Sequence, residues 1–208
     1  MSVPMAIVDF IPVFLFLVSA VILMRDLYHM MSKGAFALFS AGCIVIFTAG
    51  FYKATWKMLY ALGICDFVAL NRAFFPMQST GFLLAALGMC ALLFFRQKPK
   101  EAVLTAAPLV YTSSLVFIIF LALGSLGILG CLARLARKMK QKLAMILFWI
   151  SFLCMMMMGY LSSKDFTRPI LNWMGEIVNT AGMILLLIAV ILLHKAGLSR
   201  FELARKAE

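Results

Sequence analysis

The chain has 208 residues, of which 65% are hydrophobic and 13% are charged, and its 19 lysines and arginines against 8 acids give a net charge of +11. A soluble domain carries about 25% charged residues and far fewer apolar ones, and the mean hydropathy of +1.06 also lies outside the soluble range. This composition excludes a soluble single-core enzyme, a disordered regulator and a disulfide-stapled domain. The basic residues fall between apolar runs and not along one face, which argues against nucleic acid as a partner.

Six apolar runs that could each cross a bilayer follow one another along the chain. A transmembrane helix needs about 20 predominantly apolar residues. The runs cover residues 7–24, 35–51, 74–95, 108–133, 143–161 and 170–194. We therefore predict an all-α, polytopic transmembrane helical bundle in which residues 1–208 form a single membrane domain with a short basic tail at 195–208.

The apolar segment 56–70 decides between six and seven spans. It has 15 residues and contains Asp66, which is short for a span and typical of an interfacial or re-entrant helix. Lys53, Lys57 and Arg72 are assigned to the same region between spans. The sequence predicts six spans, and seven spans if this segment crosses the membrane.

The distribution of lysine and arginine predicts the orientation of the bundle. In the six-span arrangement the positive-inside rule favours both termini in the cytoplasm, and a seven-span arrangement with the N-terminus outside satisfies the rule equally well. Both arrangements place the C-terminus and the loop 134–142 in the cytoplasm, where the loop would contact anionic lipid headgroups. The predicted headgroup-contacting residues are Arg134, Arg137, Lys138, Lys140 and Lys142.

The two halves of the chain, about 7–95 and about 108–194, resemble each other weakly. At offsets of 109 and then 101 residues the matched pairs include Arg25 with Arg134, Lys33 with Lys142, Asn71 with Asn172 and Gly81 with Gly182. We therefore predict two three-span repeats, as in many transporters. With six spans the second repeat is inverted relative to the first, and with seven the two can be parallel. The alternative is an old duplication whose symmetry serves only packing.

Polar residues recur at helical spacing where the third and sixth spans begin. In the sixth span the pattern is i, i+4, i+7 and i+8, which places its members on one helix face. A carboxylate or an amide inside a bilayer is costly and needs a partner, so these side chains are predicted to line a substrate or ion pathway, with Glu176 as its deep charge. The alternative is hydrogen bonding between helices. The predicted pathway residues are Asn71, Gln78, Ser79, Asn172, Glu176, Asn179 and Thr180.

No catalytic motif and no metal-ligand spacing stands out among the five scattered cysteines and two histidines, so we expect no catalytic residue, no metal and no cofactor. Asp9, near the start of the first span, is interpreted as a structural residue that favours the helix dipole.

The leading functional prediction is a small integral membrane transporter or channel-like protein that moves a small solute or ion through a site near the midplane, between the two repeats. The first alternative is a non-transport sensor or an anchoring subunit of a complex, and the second is an intramembrane lipid-modifying enzyme. The predicted partners are the lipid bilayer, its anionic headgroups, and a second copy of the chain or another membrane protein.

Overall fold

The computed structural model describes residues 2–94, 114–162 and 169–201, and these residues are all-helical. The helices are α1 (Val3–Val8), α2 (Phe10–Leu27), α3 (Lys33–Ala61), α4 (Val68–Phe94), α5 (Ser114–Lys138), α6 (Lys142–Ser162) and α7 (Pro169–Lys195), followed by a 3₁₀ turn at Leu198–Arg200. Residues 108–113 of the predicted fourth span, Phe95 of the third and residues 202–208 of the predicted tail lie outside the described residues.

Five helical stretches are long and apolar enough to cross a membrane, in agreement with a multi-pass membrane protein. They are Val3–Leu27, Lys33–Ala61, Val68–Phe94, Val116–Lys138 and Ile170–Lys195. The sixth helix, α6, has 21 residues, but its apolar part Lys142–Met158 is shorter than the other five. Large apolar side chains such as Ile44, Leu153 and Ile177 are more than half exposed on the outer faces of the bundle, where acyl chains would solvate them.

The segment 56–70 forms no helix of its own. Its first residues are the last turn of α3, and Gly63, with a φ of 70°, ends that helix in the left-handed region. The Ile64 N–H donates to the Leu59 carbonyl at 3.1 Å and the Gly63 N–H to the Tyr60 carbonyl at 3.1 Å, which is the Schellman arrangement of a helix C-terminus. A glycine in the middle of the apolar run therefore turns the chain back before a separate helix can form.

The first span is interrupted at Asp9, between α1 and α2. Pro12 explains the break, because its nitrogen carries no hydrogen for the Val8 carbonyl and its ring crowds that carbonyl. The Asp9 N–H still donates to the Met5 carbonyl at 3.1 Å. Asp9 itself is 6% exposed, so the break lies inside the bundle and not in solvent.

The helices form a closed ring in which each packs on its neighbours in the chain and α7 returns to α2. Small residues allow the closest approaches. A Cβ built on Gly42 of α3 would lie 2.5 Å from the Ala85 nitrogen of α4, and one built on Gly88 of α4 would lie 2.6 Å from the Ala35 carbonyl oxygen of α3. Backbones that approach this closely are typical of helix pairs in membranes, where packing replaces hydrophobic driving force.

Helices α4 and α5 run in the same direction. Near their middle, a Cβ on Gly124 would lie 2.6 Å from the Phe82 backbone, and near their ends the Arg134 guanidinium lies 4.8 Å from the centre of the Phe94 ring. Residues later in α4 contact residues later in α5, as expected of parallel helices. Phe94, at the end of α4, and Ser114, at the start of α5, therefore lie at opposite ends of the bundle.

Helices α2 and α7 are parallel as well. At one end Asp9 and Glu176 both contact Lys57, and at the other end His194 Nδ1 lies 2.9 Å from Asp26 Oδ2. The first and last helices thus point the same way, which differs from a six-span chain with both ends on one side of the membrane.

Most of the described lysines and arginines lie at the end of the bundle where α2, α5 and α7 finish. We call this the basic end. Its members among the described residues are Arg25, Lys33, Arg134, Arg137, Lys138, Lys140, Lys142, Lys195 and Arg200. The opposite end has Lys53, Lys57 and Arg72 in the same described part of the chain.

Candidate functional site

A cavity of about 560 Å³ opens inside the bundle at the end opposite the basic end. All six long helices contribute to it, together with the residues around the break between α1 and α2. Its polar lining consists of Asp9, Lys53, Trp56, Lys57, Asn71, Gln78, Asn172, Glu176 and Asn179, and its apolar lining includes Phe16, Ile46, Phe47, Phe74, Phe75, Phe82, Leu121, Met155 and Met183. A volume of this size is typical of pockets that hold small organic ligands.

Lys57 is the centre of a buried ion triad in the cavity wall. Its Nζ lies 2.6 Å from Asp9 Oδ1 and 2.6 Å from Glu176 Oε1. The three side chains are 14%, 8% and 5% exposed, so each charge depends on the others for solvation. The triad connects three parts of the bundle: Asp9 lies at the break between α1 and α2, Lys57 in the last two turns of α3, and Glu176 in the second turn of α7.

The second carboxylate oxygen of Glu176 is buried. Among the described residues Glu176 Oε2 has no hydrogen-bond partner, although Oε1 accepts from Lys57. A buried acceptor without a donor is costly, and a proton on this carboxyl group would convert the acceptor into a donor. The position can therefore hold a proton or receive a ligand hydrogen.

Lys53 lies one helical turn before Lys57 and also faces the cavity. Its Nζ lies 4.1 Å from the centre of the Phe74 ring, a cation–π contact across the α3–α4 interface. No hydrogen bond or ion pair to this ammonium occurs within the ranges that the structure describes. Lys53 is thus a cation in the wall of the cavity that remains able to bind an anionic group.

One residue of the cavity wall, Trp56, is held by a contact between α3 and the loop that follows it. Trp56 Nε1 donates to Asp66 Oδ1 at 2.8 Å. Asp66 is exposed, and the hydrogen bond orients the indole ring that lines the cavity. Asp66, which sequence reasoning assigned to an interfacial helix, instead lies in the turn after α3.

Five of the seven predicted pathway residues line this cavity: Asn71, Gln78, Asn172, Glu176 and Asn179. The structure brings them together from α4 and α7, which the spacing alone could not show. Ser79 and Thr180 do not line it. The Ser79 hydroxyl donates to the Pro76 carbonyl of its own helix at 3.0 Å, and Thr180 Oγ1 is buried with no partner among the described residues.

Sequence reasoning missed Asp9, Lys53 and Lys57 as residues of the site. The two lysines were assigned to a loop, but α3 continues to Ala61 and carries both of them. Their i, i+4 spacing was the available signal, because it places two cations on one face of a helix that no glycine or proline interrupts between Gly50 and Gly63. Asp9 was interpreted as a helix-dipole residue, and its contact with Lys57 spans 48 positions in the sequence.

The floor of the cavity is apolar and closes it toward the basic end. Phe16, Phe82, Met155 and Met183 line both the cavity and a small adjoining void of about 30 Å³. Beyond it the core is filled by side chains such as Phe39 and Phe148, which are 1% and 0% exposed. Among the described residues, packed apolar side chains therefore separate the cavity from the basic end.

The five predicted headgroup-contacting residues, Arg134, Arg137, Lys138, Lys140 and Lys142, are all exposed at the basic end. They surround the tight turn between α5 and α6, in which Lys140 adopts a φ of 58°. None of them reaches the cavity. The structure thus separates the basic surface of the protein from the charged site.

The arrangement can hold a small ligand that presents polar or charged groups to the triad, to Lys53 and to four amide side chains, with an apolar body on the floor. Within residues 2–94, 114–162 and 169–201, no group of three or more His, Cys, Asp or Glu residues could hold a metal ion. Comparison with protein-family models, with curated proteins and with solved structures found no match to this chain.

Proposed function

We propose that the protein is a small membrane transporter or channel-like protein that binds a small polar solute or ion in the cavity and moves it across the bilayer. One observation carries the proposal: charged and amide side chains from both halves of the chain converge on a cavity inside an apolar bundle. Ionisable groups are expensive in a membrane interior and mark substrate or ion pathways. Glu176 is the coupling or selectivity residue of this site.

The proposal includes two parallel three-helix repeats, α2–α4 and α5–α7. The helices of the two repeats have equivalent neighbours in the ring. The last helix of the first repeat, α4, packs on the first helix of the second, α5, and in the same way α7 packs on α2. The parallel directions of α4 and α5, and of α2 and α7, support a parallel and not an inverted relation. Parallel repeats related by an axis along the membrane normal are one established plan of transporters.

Equivalent contacts in the two halves support the same repeat. In the first half Gly42 and Gly81 meet at the α3–α4 crossing, where a Cβ on Gly81 would lie 3.0 Å from the Gly42 carbonyl oxygen. In the second half the positions 109 and 101 residues later are Ser151 and Gly182, and the Ser151 hydroxyl donates to the Gly182 carbonyl at 2.9 Å. The repeat axis then passes between α4 and α7, which both line the cavity.

We further propose that the basic end faces the cytoplasm and that the cavity opens to the outside. The basic end holds most of the described lysines and arginines, as the positive-inside rule requires of a cytoplasmic face. The five exposed cations Arg134, Arg137, Lys138, Lys140 and Lys142 then lie level with anionic headgroups, each attracted by about 1 kcal/mol. In this arrangement α6 serves as a sixth span, and the C-terminal end of α7 is cytoplasmic.

The cavity favours transport over the two alternative functions. A sensor or an anchoring subunit that works through its basic surface needs no solvated cavity on the opposite side of the membrane. A lipid-modifying enzyme would need an activated nucleophile or a metal-bound water near the charged groups. Apart from the triad itself and Lys53, the described residues that line the cavity are amides, aromatic rings and apolar side chains, which bind and orient a ligand.

A flux assay tests the proposal. The full chain is reconstituted in vesicles, and the uptake of small carboxylates, amines and neutral polar solutes supplied outside is measured at several values of pH. We expect protein-dependent flux of at least one class, and we expect Glu176→Gln to reduce that flux and remove its dependence on pH. The exposed variant Lys195→Gln, at the basic end, serves as the matched control and should transport normally.

Unchanged flux and unchanged pH dependence in Glu176→Gln would remove Glu176 from the mechanism. Absence of any protein-dependent flux across all three classes of solute, with the protein correctly inserted, would contradict the transport proposal as a whole.

A further inference from the structure

We propose that the cavity binds a small organic carboxylate together with one proton, with Lys53 as the group that receives the carboxylate. This inference rests on the proposed function and names the substrate class of the same site. Four observations carry it: the charge balance of the cavity, the contacts of Lys53, the shape of the apolar floor and the buried oxygen of Glu176.

The charged groups of the cavity balance one another. Asp9 and Glu176 are opposed by Lys53 and Lys57, and all four line the same space. A cation would have to displace the Lys57 ammonium, because that ammonium already lies 2.6 Å from both carboxylates. An anion meets no such competitor. Because the charges of the four side chains sum to zero, a bound monovalent anion gives the site a net charge of minus one. In a low-dielectric site this charge is costly, and one added proton neutralises it.

Lys53 is the group able to receive the anion. Its ammonium contacts the face of Phe74 at 4.1 Å, and no carboxylate binds it within the described part of the chain. A lysine ammonium has three hydrogens to donate, so a ligand carboxylate can bind without breaking an existing ion pair. The amide side chains of Asn71 and Gln78, on the facing helix α4, line the same cavity and can donate to the second carboxylate oxygen.

The floor of the cavity favours an organic anion over chloride or inorganic phosphate. The rings of Phe16 and Phe82 and the side chains of Leu121, Met155 and Met183 form its lower wall. A bare inorganic ion would leave this apolar space empty or filled with poorly bonded water. A carboxylate with a short aliphatic or aromatic body fills it and buries apolar surface.

The proton binds the carboxyl group of Glu176. The Oε2 atom is buried and has no hydrogen-bond partner among the described residues, so this oxygen has a free position for a hydrogen. The charged groups that face Glu176 are Asp9 from the α1–α2 break and Lys53 and Lys57 from α3; α4 contributes amides and α6 contributes methionines. The proton raises the net charge of the site by one, which attracts the anion, and the bound anion in turn favours the proton.

Three probes with the same phenyl body but different head groups test the ligand class. The purified full chain is heated in detergent at pH 5.5 and at pH 8 with sodium benzoate, benzylamine or benzyl alcohol. A ligand that binds the folded state raises the unfolding temperature. We expect benzoate alone to do so, with a larger rise at pH 5.5 than at pH 8.

Variants then test the two assigned residues. We expect Lys53→Met to weaken benzoate binding about tenfold or more, Lys53→Arg to retain most of it, and Lys195→Met to leave it unchanged. Glu176→Gln, which resembles the protonated acid, should bind benzoate equally well at both pH values. Wild-type affinity in Lys53→Met would overturn the role of Lys53, and a pH dependence that persists in Glu176→Gln would overturn the role of Glu176.

The outcomes separate the ligand class from the transport proposal. Stabilisation by benzylamine or benzyl alcohol as great as that by benzoate, or none by benzoate, overturns the carboxylate inference and leaves transport of another solute open. Benzoate binding without protein-dependent benzoate uptake into vesicles upholds the inference and overturns transport. Benzoate binding that depends on Lys53, accompanied by uptake at low pH, is the result that the charge balance predicts.

Discussion

Lys57 sets the character of the site at the scale of single residues. Its ammonium bridges two carboxylates that lie 48 and 119 positions away in the sequence. A buried ion pair contributes little net stability compared with apolar packing, but removing one partner leaves an uncompensated charge. Lys57 therefore allows Asp9 and Glu176 to stay ionised inside the bundle, and it adds little to the free energy of unfolding beyond that.

Replacing Lys57 by methionine should destabilise the protein. Two facing carboxylates would lose their shared cation, which costs about 3 kcal/mol of unfolding free energy and lowers the midpoint of thermal unfolding by about 6–12 °C for a chain of this size. The measurement is thermal unfolding of the purified protein by circular dichroism. Adding Asp9→Asn and Glu176→Gln to Lys57→Met should restore most of the loss, and failure of this triple variant to recover would contradict the ionic account.

The spacing of polar residues predicted part of the site at this scale, and the reason lies in helix geometry. Asn172, Glu176 and Asn179 share a helix face by periodicity alone, and all three line the cavity. The partners of Glu176 come from helices that are distant in sequence, and no local pattern specifies which charge will meet it. The hydropathy pattern also placed Lys57 in a loop, although it lies in α3. A lysine that faces a cavity lowers the local hydropathy as much as a lysine in a loop does.

At the scale of elements, single prolines and glycines determine where the helices break and how closely they pack. Pro12 removes a backbone hydrogen bond beside Asp9, whose side chain lines the cavity. Gly63 ends α3, so that no separate helix forms at 56–70. Both effects follow from residue chemistry that the sequence displays. The lengths of the apolar runs did not reveal them, because hydropathy averages over such positions.

Gly42 and Gly130 provide a matched pair of substitutions for the packing of the ring. Gly42→Ala places a methyl group 2.5 Å from the Ala85 nitrogen, so we expect it to force α3 and α4 apart and to cost about 1–3 kcal/mol. Gly130→Ala on α5 meets nothing within 4 Å and should raise stability by about 0.5–1 kcal/mol through better helix propensity. Thermal unfolding compares them, and equal effects of the two changes would contradict the close α3–α4 packing.

At the scale of the whole molecule, the decisive feature is the direction of the helices. Loop charges left six and seven spans equally acceptable, because either arrangement sorts the lysines and arginines to one face. Contacts between α4 and α5, and between α2 and α7, show parallel pairs that no count of apolar runs can predict. With this geometry the polar residues of both halves face one space, and the basic end lies on the far side of an apolar core.

The central claim is that the cavity is a transport pathway, and a pathway must be reachable from both sides of the membrane in turn. In a chain whose native cysteines are replaced, Asn179→Cys places one thiol in the cavity wall. A membrane-impermeant maleimide is then applied to right-side-out and to inside-out vesicles. Ile188→Cys, which is 43% exposed on the outer face of the same helix, is the lipid-facing control and should not react.

We predict that the Asn179→Cys thiol is labelled from the outside and, more slowly, from the cytoplasmic side, whereas Lys195→Cys at the basic end is labelled only from the cytoplasmic side. Reaction of Lys195→Cys from the outside would contradict the proposed orientation. Labelling of Asn179→Cys from one side only, however long the reaction continues, would show a closed binding pocket and contradict the transport account.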